Sequence, residues 1–374
     1  MSTRSRIPPL LDTYIRLPPE ASLLLLTGVV NITPHWIVTR FLSQFLGQQA
    51  TTRRSENDEA IDANGEDEQD VSVVLVSWMR DFEFWKTEAR RGAAIDLTRL
   101  CAEKRFAFID GLSNLFGEST ARVSSAKTSS PQKAPAPSRP NPIPHRGPLP
   151  AWTAPSRGPT EPTIPDQPKS TSASSSISPL TSSSLSTTLA TITSAISSLR
   201  SPTFLILDSP TLLLATSPSV TPTDLSSFVL SLRSQVHSTL IASEADAPFL
   251  AAAAPNAFFG NGDYLTGAKE GGEKGHVTPL EANHAAFLVG QAHQARWVMG
   301  VRGLETGGAR DVSGVLAVRR GGAWGGDGGE ERAEKRVGGI GNGGDGDGEE
   351  MEVLFRVGMD GGVKVFARGA GDVG

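Results

Sequence analysis

The chain has 374 residues, 38% hydrophobic and 20% charged, which is enough for one large domain or two smaller ones around a real core. A net charge of −5 excludes a whole-chain basic field for nucleic acid, so any RNA contact needs a local patch. The single cysteine, Cys101, excludes an intrachain disulfide and a thiolate zinc cluster, and the polar N-terminus lacks the apolar core of a signal peptide; a cytoplasmic or nuclear protein is expected.

Residues 22–27 (SLLLLT) predict a buried strand ended by Gly28. Residues 34–46 have helical spacing through Trp36, Ile37, Phe41, Leu42 and Phe45, with Pro34 in the first turn and Thr33 as its cap. The stretch 50–70 holds eight acidic residues between Glu56 and Asp70 and predicts a solvated loop. Residues 71–77 (VSVVLVS) are apolar on both faces, the mark of a strand in a sheet covered on both sides. Helices are expected at 81–91 and 97–103, and a third strand at 105–110 ends in Asp110-Gly111.

From Ser119 to Leu180 the chain is crowded with Ser, Pro, Thr and Ala and predicts a disordered insert. It carries seven Lys or Arg against Glu161 and Asp166, a net +5 (seven minus two). Order is expected to resume with a helix at 184–199, a strand at 203–208, a helix or turn at 210–216, a helix at 222–236 and a strand at 238–243. A loop of about 35 residues then leads to a helix at 281–292. The last strands, 295–302, 311–319, 351–357 and 363–367, read as antiparallel, with a Gly-rich loop at 320–350 and a hairpin turn at 359–362. The whole predicts an α/β doubly wound, mostly parallel sheet with antiparallel C-terminal strands. No run reaches the length of a membrane span, so no membrane partner is expected.

A strand, a Gly and then a helix is the setting of a phosphate-binding loop, which needs glycines, a Lys for the phosphates and a Ser or Thr for magnesium. The stretch 27–36 (TGVVNITPHW) has one Gly and no Lys-Ser or Lys-Thr pair, Pro34 removes an N–H donor, and the motif is degenerate. Asp208 and Asp110 end apolar strands where a magnesium-holding Asp can lie, and both read more simply as caps of the turns that follow. The six histidines lack metal-pair spacing, no Gly-x-Ser-x-Gly elbow is present, and Cys101 reads as packing. No catalytic residue, metal or cofactor is expected, and the chain is expected not to be an enzyme. The aromatics Trp78, Phe82, Phe84 and Trp85 read either as an inward helix face or as a partner interface. Arg296, Arg302, Arg310, Arg319 and Arg320 are candidate RNA contacts, or ordinary surface ion pairs.

The segments PPLLDTYIRLPPEASLLLLTG (8–28), VVLVSWMRDFEFWKTEARR (73–91), EKRFAFIDGL (103–112) and AHQARWVMGVRGLETGGARDVSGVLAVRRGG (292–322) resemble the fungal form of the sixth Elongator subunit family. Trp-Met-Arg-Asp and Asp-Val-Ser-Gly-Val-Leu are the most specific pieces. The resemblance implies a RecA-like fold without nucleotide hydrolysis. It also implies a heterohexameric ring with the fourth and fifth subunits, joined to the Elongator core, that binds tRNA and supports wobble-uridine modification. Another RecA-like accessory protein without ATPase activity, for example in recombination, stays open as the alternative.

Overall fold

The computed structural model describes residues 7–47, 70–114, 177–251, 277–304, 309, 311–324 and 348–367. They belong to one unit formed by Met1–Gly117 and Ser174–Gly374; the second unit, Glu118–Ala173, lies outside the described residues. So do 50–69 of the acidic loop and 325–347 of the Gly-rich loop.

Ten strands form one sheet: β1 Ser22–Gly28, β2 Ser72–Ser77, β3 Phe106–Asp110, β4 Ile177–Pro179, β5 Thr203–Asp208, β6 Ser238–Glu244, β7 Trp297–Arg302, β8 Gly314–Arg320, β9 Met351–Val357 and β10 Val363–Ala367. Their order is β10-β9-β8-β7-β1-β6-β5-β2-β3-β4. From β4 to β7 every pairing is parallel, and β8, β9 and β10 continue antiparallel. The expected class is therefore observed, with one change: β7 is parallel to β1 and only its other edge is antiparallel.

A second correction concerns the insert. Residues 177–179 pair with β3, and Leu180 is buried, so the end of the stretch assigned to disorder lies in the sheet. Phe108, Ile109 and Asp110 supply the partner backbone, and a strand needs only that ladder and one apolar anchor. Residues 119–176 of the insert lie outside the described residues.

Side chains alternate across the central strands, as strand geometry requires. Leu24, Leu26, Val73 and Leu75 enter one core, and Leu23, Leu25, Val74 and Val76 the other. The first core is closed by α1 (Asp12–Ile15), α2 (His35–Leu46), α3 (Phe82–Ala93) and α4 (Leu97–Ala102). The second is closed by α5 (Leu185–Ser198), α6 (Leu212–Thr216), α7 (Pro222–Arg233) and α9 (Pro279–Gln294); a short α8 (Ala247–Ala251) precedes α9. Capping boxes start α7 and α9: Thr221 with Asp224, and Thr278 with Glu281, each with Pro at the first helical position. The expected Thr33 cap of α2 is absent; Pro34 occupies the N-cap and makes no side-chain bond.

Arg40 ties the first layer together. It lies on α2 and is buried, and its guanidinium donates to the Gly92 carbonyl of α3 at 2.6 Å and to the Gly361 carbonyl of the β9–β10 turn at 2.7 Å. Gly361 has φ +76°, which frees that turn to approach Arg91 and Gly92. Arg40→Ala should leave both carbonyls without this donor and lower unfolding free energy by roughly 3 kcal/mol. Urea denaturation at unchanged m-value measures it, and Arg40→Lys should recover only part, since an ammonium lacks the planar fork.

Candidate functional site

The carboxyl edge of a parallel sheet is where ligands bind in doubly wound folds. Here the loop after β1 is folded in on itself. Residues Val29 and Ile32 form a bridge, the Ile32 N–H donates to the Val29 carbonyl at 3.0 Å, and Asn31 takes φ 73° in the turn between them. The Val30 N–H donates at 2.8 Å to Asp246. A Cβ added at Gly28 would lie 2.6 Å from Pro34 Cδ, so the space a glycine opens is filled by the proline ring. The N–H groups that cradle phosphate in a working loop need to be free and convergent, and one of these is already held by a carboxylate.

The strand ends beside it are also occupied from within. Asp208, at the end of β5, is buried; it accepts from Ser77 Oγ at 2.7 Å and from Arg80 Nη1 at 3.2 Å. Burial pushes the Asp208 carboxyl above its ordinary range, against the opposing pull of Arg80 and Ser77. Ser77 Oγ in turn accepts the Arg80 backbone N–H at 2.9 Å, and the Arg80 guanidinium lies 5.3 Å from the centre of the Phe84 ring. Glu244, at the end of β6, accepts from Ser209 Oγ at 2.8 Å. Asp208 is thus not the turn cap expected from its position, but half of a buried ion pair. Asp110 does cap its turn, accepting from the Leu112 and Ser113 N–H groups at 2.9 and 2.8 Å.

His35 begins α2 and is buried edge-on between Phe84 and Trp85, with ring centres 5.3 and 5.6 Å away. Burial, and then the nearby Arg80 charge, pull its pKa down to about 3.

Two members of the aromatic cluster are corrected by the structure. Trp78 is 2% exposed, and its indole covers Gly111, where an added Cβ would lie 2.7 Å from the ring. Trp85 is fully buried in the first core. Neither presents a surface to a partner. The reason lies in the start of α3: Asp81 caps it by accepting the Phe84 N–H at 2.9 Å, which turns Trp85 and Ala89 inward. Phe82 and Phe84 are half-buried against the same core, Phe82 5.4 Å from Phe108.

The arginines do not converge on one point. Arg302 and Arg319 meet at Glu352, 3.2 and 3.6 Å away, whereas Arg296 and Arg320 each lie 4.7 Å from the centre of the Trp324 ring. Arg310 lies outside the described residues. Arg80, Ser77, Glu244 and Asp246 were not singled out by sequence as a group; the one signal was Arg80 within Trp-Met-Arg-Asp at the end of a buried strand. Among the described residues no group of three or more His, Cys, Asp or Glu is placed to hold a metal ion, and no helix is long and apolar enough to cross a membrane.

No family model matches the chain and no curated protein matches it. Among solved structures it is similar to a KaiC-like protein of the archaeon Pyrococcus horikoshii, at 11% identity and a TM-score of 0.43, over 98% of this chain and 99% of that one. The RecA-like class is read from the sheet itself: one strand, β6, separates the loop-bearing β1 from β5, which ends in Asp208.

Two predictions follow from the closed edge. Asp208→Asn should strand a largely buried guanidinium and destabilise by about 3 kcal/mol, while Asp208→Leu combined with Arg80→Met should lie near wild type in denaturant. For His35 the folded pKa is below the unfolded value, so the unfolded state takes up the proton first as pH falls. Stability should then drop by up to about 1.4 kcal/mol per pH unit from about 6.5 towards 3. His35→Phe should flatten that part of a stability–pH curve.

Proposed function

We propose that this chain is a non-catalytic, RecA-like subunit of the Elongator assembly. In this reading it builds a heterohexameric ring with the fourth and fifth subunits, and the ring binds tRNA and supports wobble-uridine modification. Membership is supported by the four quoted segments of sequence resemblance, and the non-catalytic part by one observation: the phosphate-loop position is closed by its own turn. Productive triphosphate binding needs open N–H donors, a lysine and a magnesium-ligand hydroxyl. This edge offers instead Asp208, Glu244 and Asp246, with Arg80 engaged on Asp208. Carboxylates there repel a polyphosphate unless a cation bridges them, and Asp208 is already engaged by Arg80 and Ser77.

In this reading the chain acts as one member of a ring, a role that needs no chemistry of its own. Of the aromatic cluster, Phe82 and Phe84 keep some surface for that contact.

The deciding experiment co-expresses the chain with the fourth and fifth Elongator subunits and reads native mass. A complex holding two copies of each supports the reading. Recovery of the chain alone, with those subunits assembling without it, would overturn membership and favour another RecA-like accessory protein. The purified chain should turn over no ATP; hydrolysis above blank that Asp208→Ala abolishes would overturn the non-catalytic assignment.

A further inference from the structure

The sheet ends on β4 at one side and on β10 at the other. Among the described residues neither strand has a partner on its outer side, and the two edges differ. β4 has three residues and finishes in Pro179, which has no N–H to donate to a further strand. β10 has five residues, with no proline and an unbroken register against β9.

The direction of the free backbone groups follows from β9. The Ser313 N–H donates to the Phe355 carbonyl at 2.8 Å, and the Val357 N–H donates to Ser313 Oγ at 3.0 Å, so Phe355 and Val357 turn their backbone towards β8. Leu354 and Arg356 alternate with them and turn theirs towards β10, where Phe366 and Lys364 are their register partners. Val363, Val365 and Ala367 therefore aim their N–H and C=O groups away from the sheet. Side chains alternate as well: Val363 and Val365 are half-buried against the first core, and Lys364 and Phe366 stand on the outer face.

This edge is complementary to itself. Two antiparallel copies of β10, related by a two-fold axis at Val365, place Val365 opposite its own copy and Val363 opposite Ala367. Each facing pair of that kind exchanges both of its N–H···O=C bonds, so every outward backbone group of the strand is used. On the core side a β-branched residue meets a β-branched one at Val365, and Val363 meets the small Ala367. On the outer face Lys364 stands opposite Phe366 rather than opposite a second lysine, so the charge that would guard an edge strand does not block this pairing. The two Lys364 side chains lie on the diagonal, a repulsion that salt screens.

We propose that β10 pairs with the β10 of a second copy of this chain, antiparallel about Val365, and joins the two sheets into one. The strand is short and the interface small, so the dimer forms as concentration rises rather than being permanent. The inference rests on the sheet alone and not on the proposed Elongator assignment.

The test is sedimentation velocity of the full-length chain by itself, from roughly 1 to 200 µM in about 150 mM salt. Monomer should give way to dimer across that range. Val365→Pro removes the N–H at the centre of the pairing; that N–H points away from β9, so the ladder within the chain is kept. This variant should stay monomeric with an unchanged melting temperature. Phe366→Lys sets a new lysine opposite Lys364 on both sides of the axis and should also stay monomeric. Adding Lys364→Glu to Phe366→Lys turns both contacts into opposite charges and should restore the dimer. If Val365→Pro lowers the melting temperature, Phe366→Lys and its rescue decide alone. A wild-type chain that is monomeric at all these concentrations, a dimer untouched by Val365→Pro, a double variant no better than Phe366→Lys, or growth beyond a dimer overturns the proposal. Each of these results leaves the co-expression experiment on ring membership unaffected.

Discussion

A carboxylate buried at the end of a strand covered on both faces needs a counter-charge, and in this chain Arg80 supplies it to Asp208. The attraction between them works against a desolvation cost of several kcal/mol for each ion, which leaves such pairs near break-even for stability but unforgiving of a missing partner. The geometry of the whole carboxyl edge follows from that demand. Ser77 turns its hydroxyl to the same carboxylate and its oxygen to the Arg80 N–H, so the ends of β2 and β5 are fixed against each other. Arg80 in turn lies over Phe84, and its charge adds to burial in keeping His35 neutral. A neutral His35 can sit edge-on to Phe84 and Trp85, and that contact holds the start of α2 against α3. One internal ion pair thus stands behind the packing of the first layer of helices at this end of the sheet.

The loop after β1 shows the same economy of space. In a phosphate loop the missing Cβ of glycine lets backbone approach a ligand. At Gly28 it lets the Pro34 ring approach the chain itself. Pro34 cannot donate, Val30 has given its N–H to Asp246, and the Val29–Ile32 turn has used another pair of backbone groups. Each of these is a small local choice, and each removes a donor from the place where a nucleotide would need one. Lysine replacement alone would not free the Val30 and Ile32 N–H groups, which already have acceptors within the chain.

Much of this fold is written locally. Runs such as SVVLVS and TFLILD are apolar on both faces, and they are the central strands buried on both sides. The capping residues Asp81, Thr221 and Thr278 mark three helix starts in the sequence. What was not legible depends on distant partners. The Arg80–Asp208 pair spans 128 residues and leaves no trace in spacing. Residues 177–179 look like more of the Ser/Pro-rich stretch, and only the free edge of β3 makes them a strand. Trp78 and Trp85 are seven residues apart, a spacing that fits one helical face; yet Asp81 caps the helix between them, so Trp78 belongs to the preceding turn and enters the other core. The capping residue was present to be read, and it decides which aromatic points where.

The two ends of the sheet differ in composition. The parallel strands are covered by helices on both faces, and charge appears only at their ends, where it must be paired at once. Among the described residues the second face of β8, β9 and β10 joins neither core, and their sequences change period accordingly: MEVLFRV and VKVFA alternate apolar and polar residues where VSVVLV does not. Charges can therefore accumulate along β7 to β10 without the burial penalty that governs Asp208. At the carboxyl edge the Asp208, Glu244 and Asp246 carboxylates each have a donor within the chain. On the outer face the charges are partly exposed, as Arg319 and Arg356 are, and their ion pairs form beside water, where each contributes little.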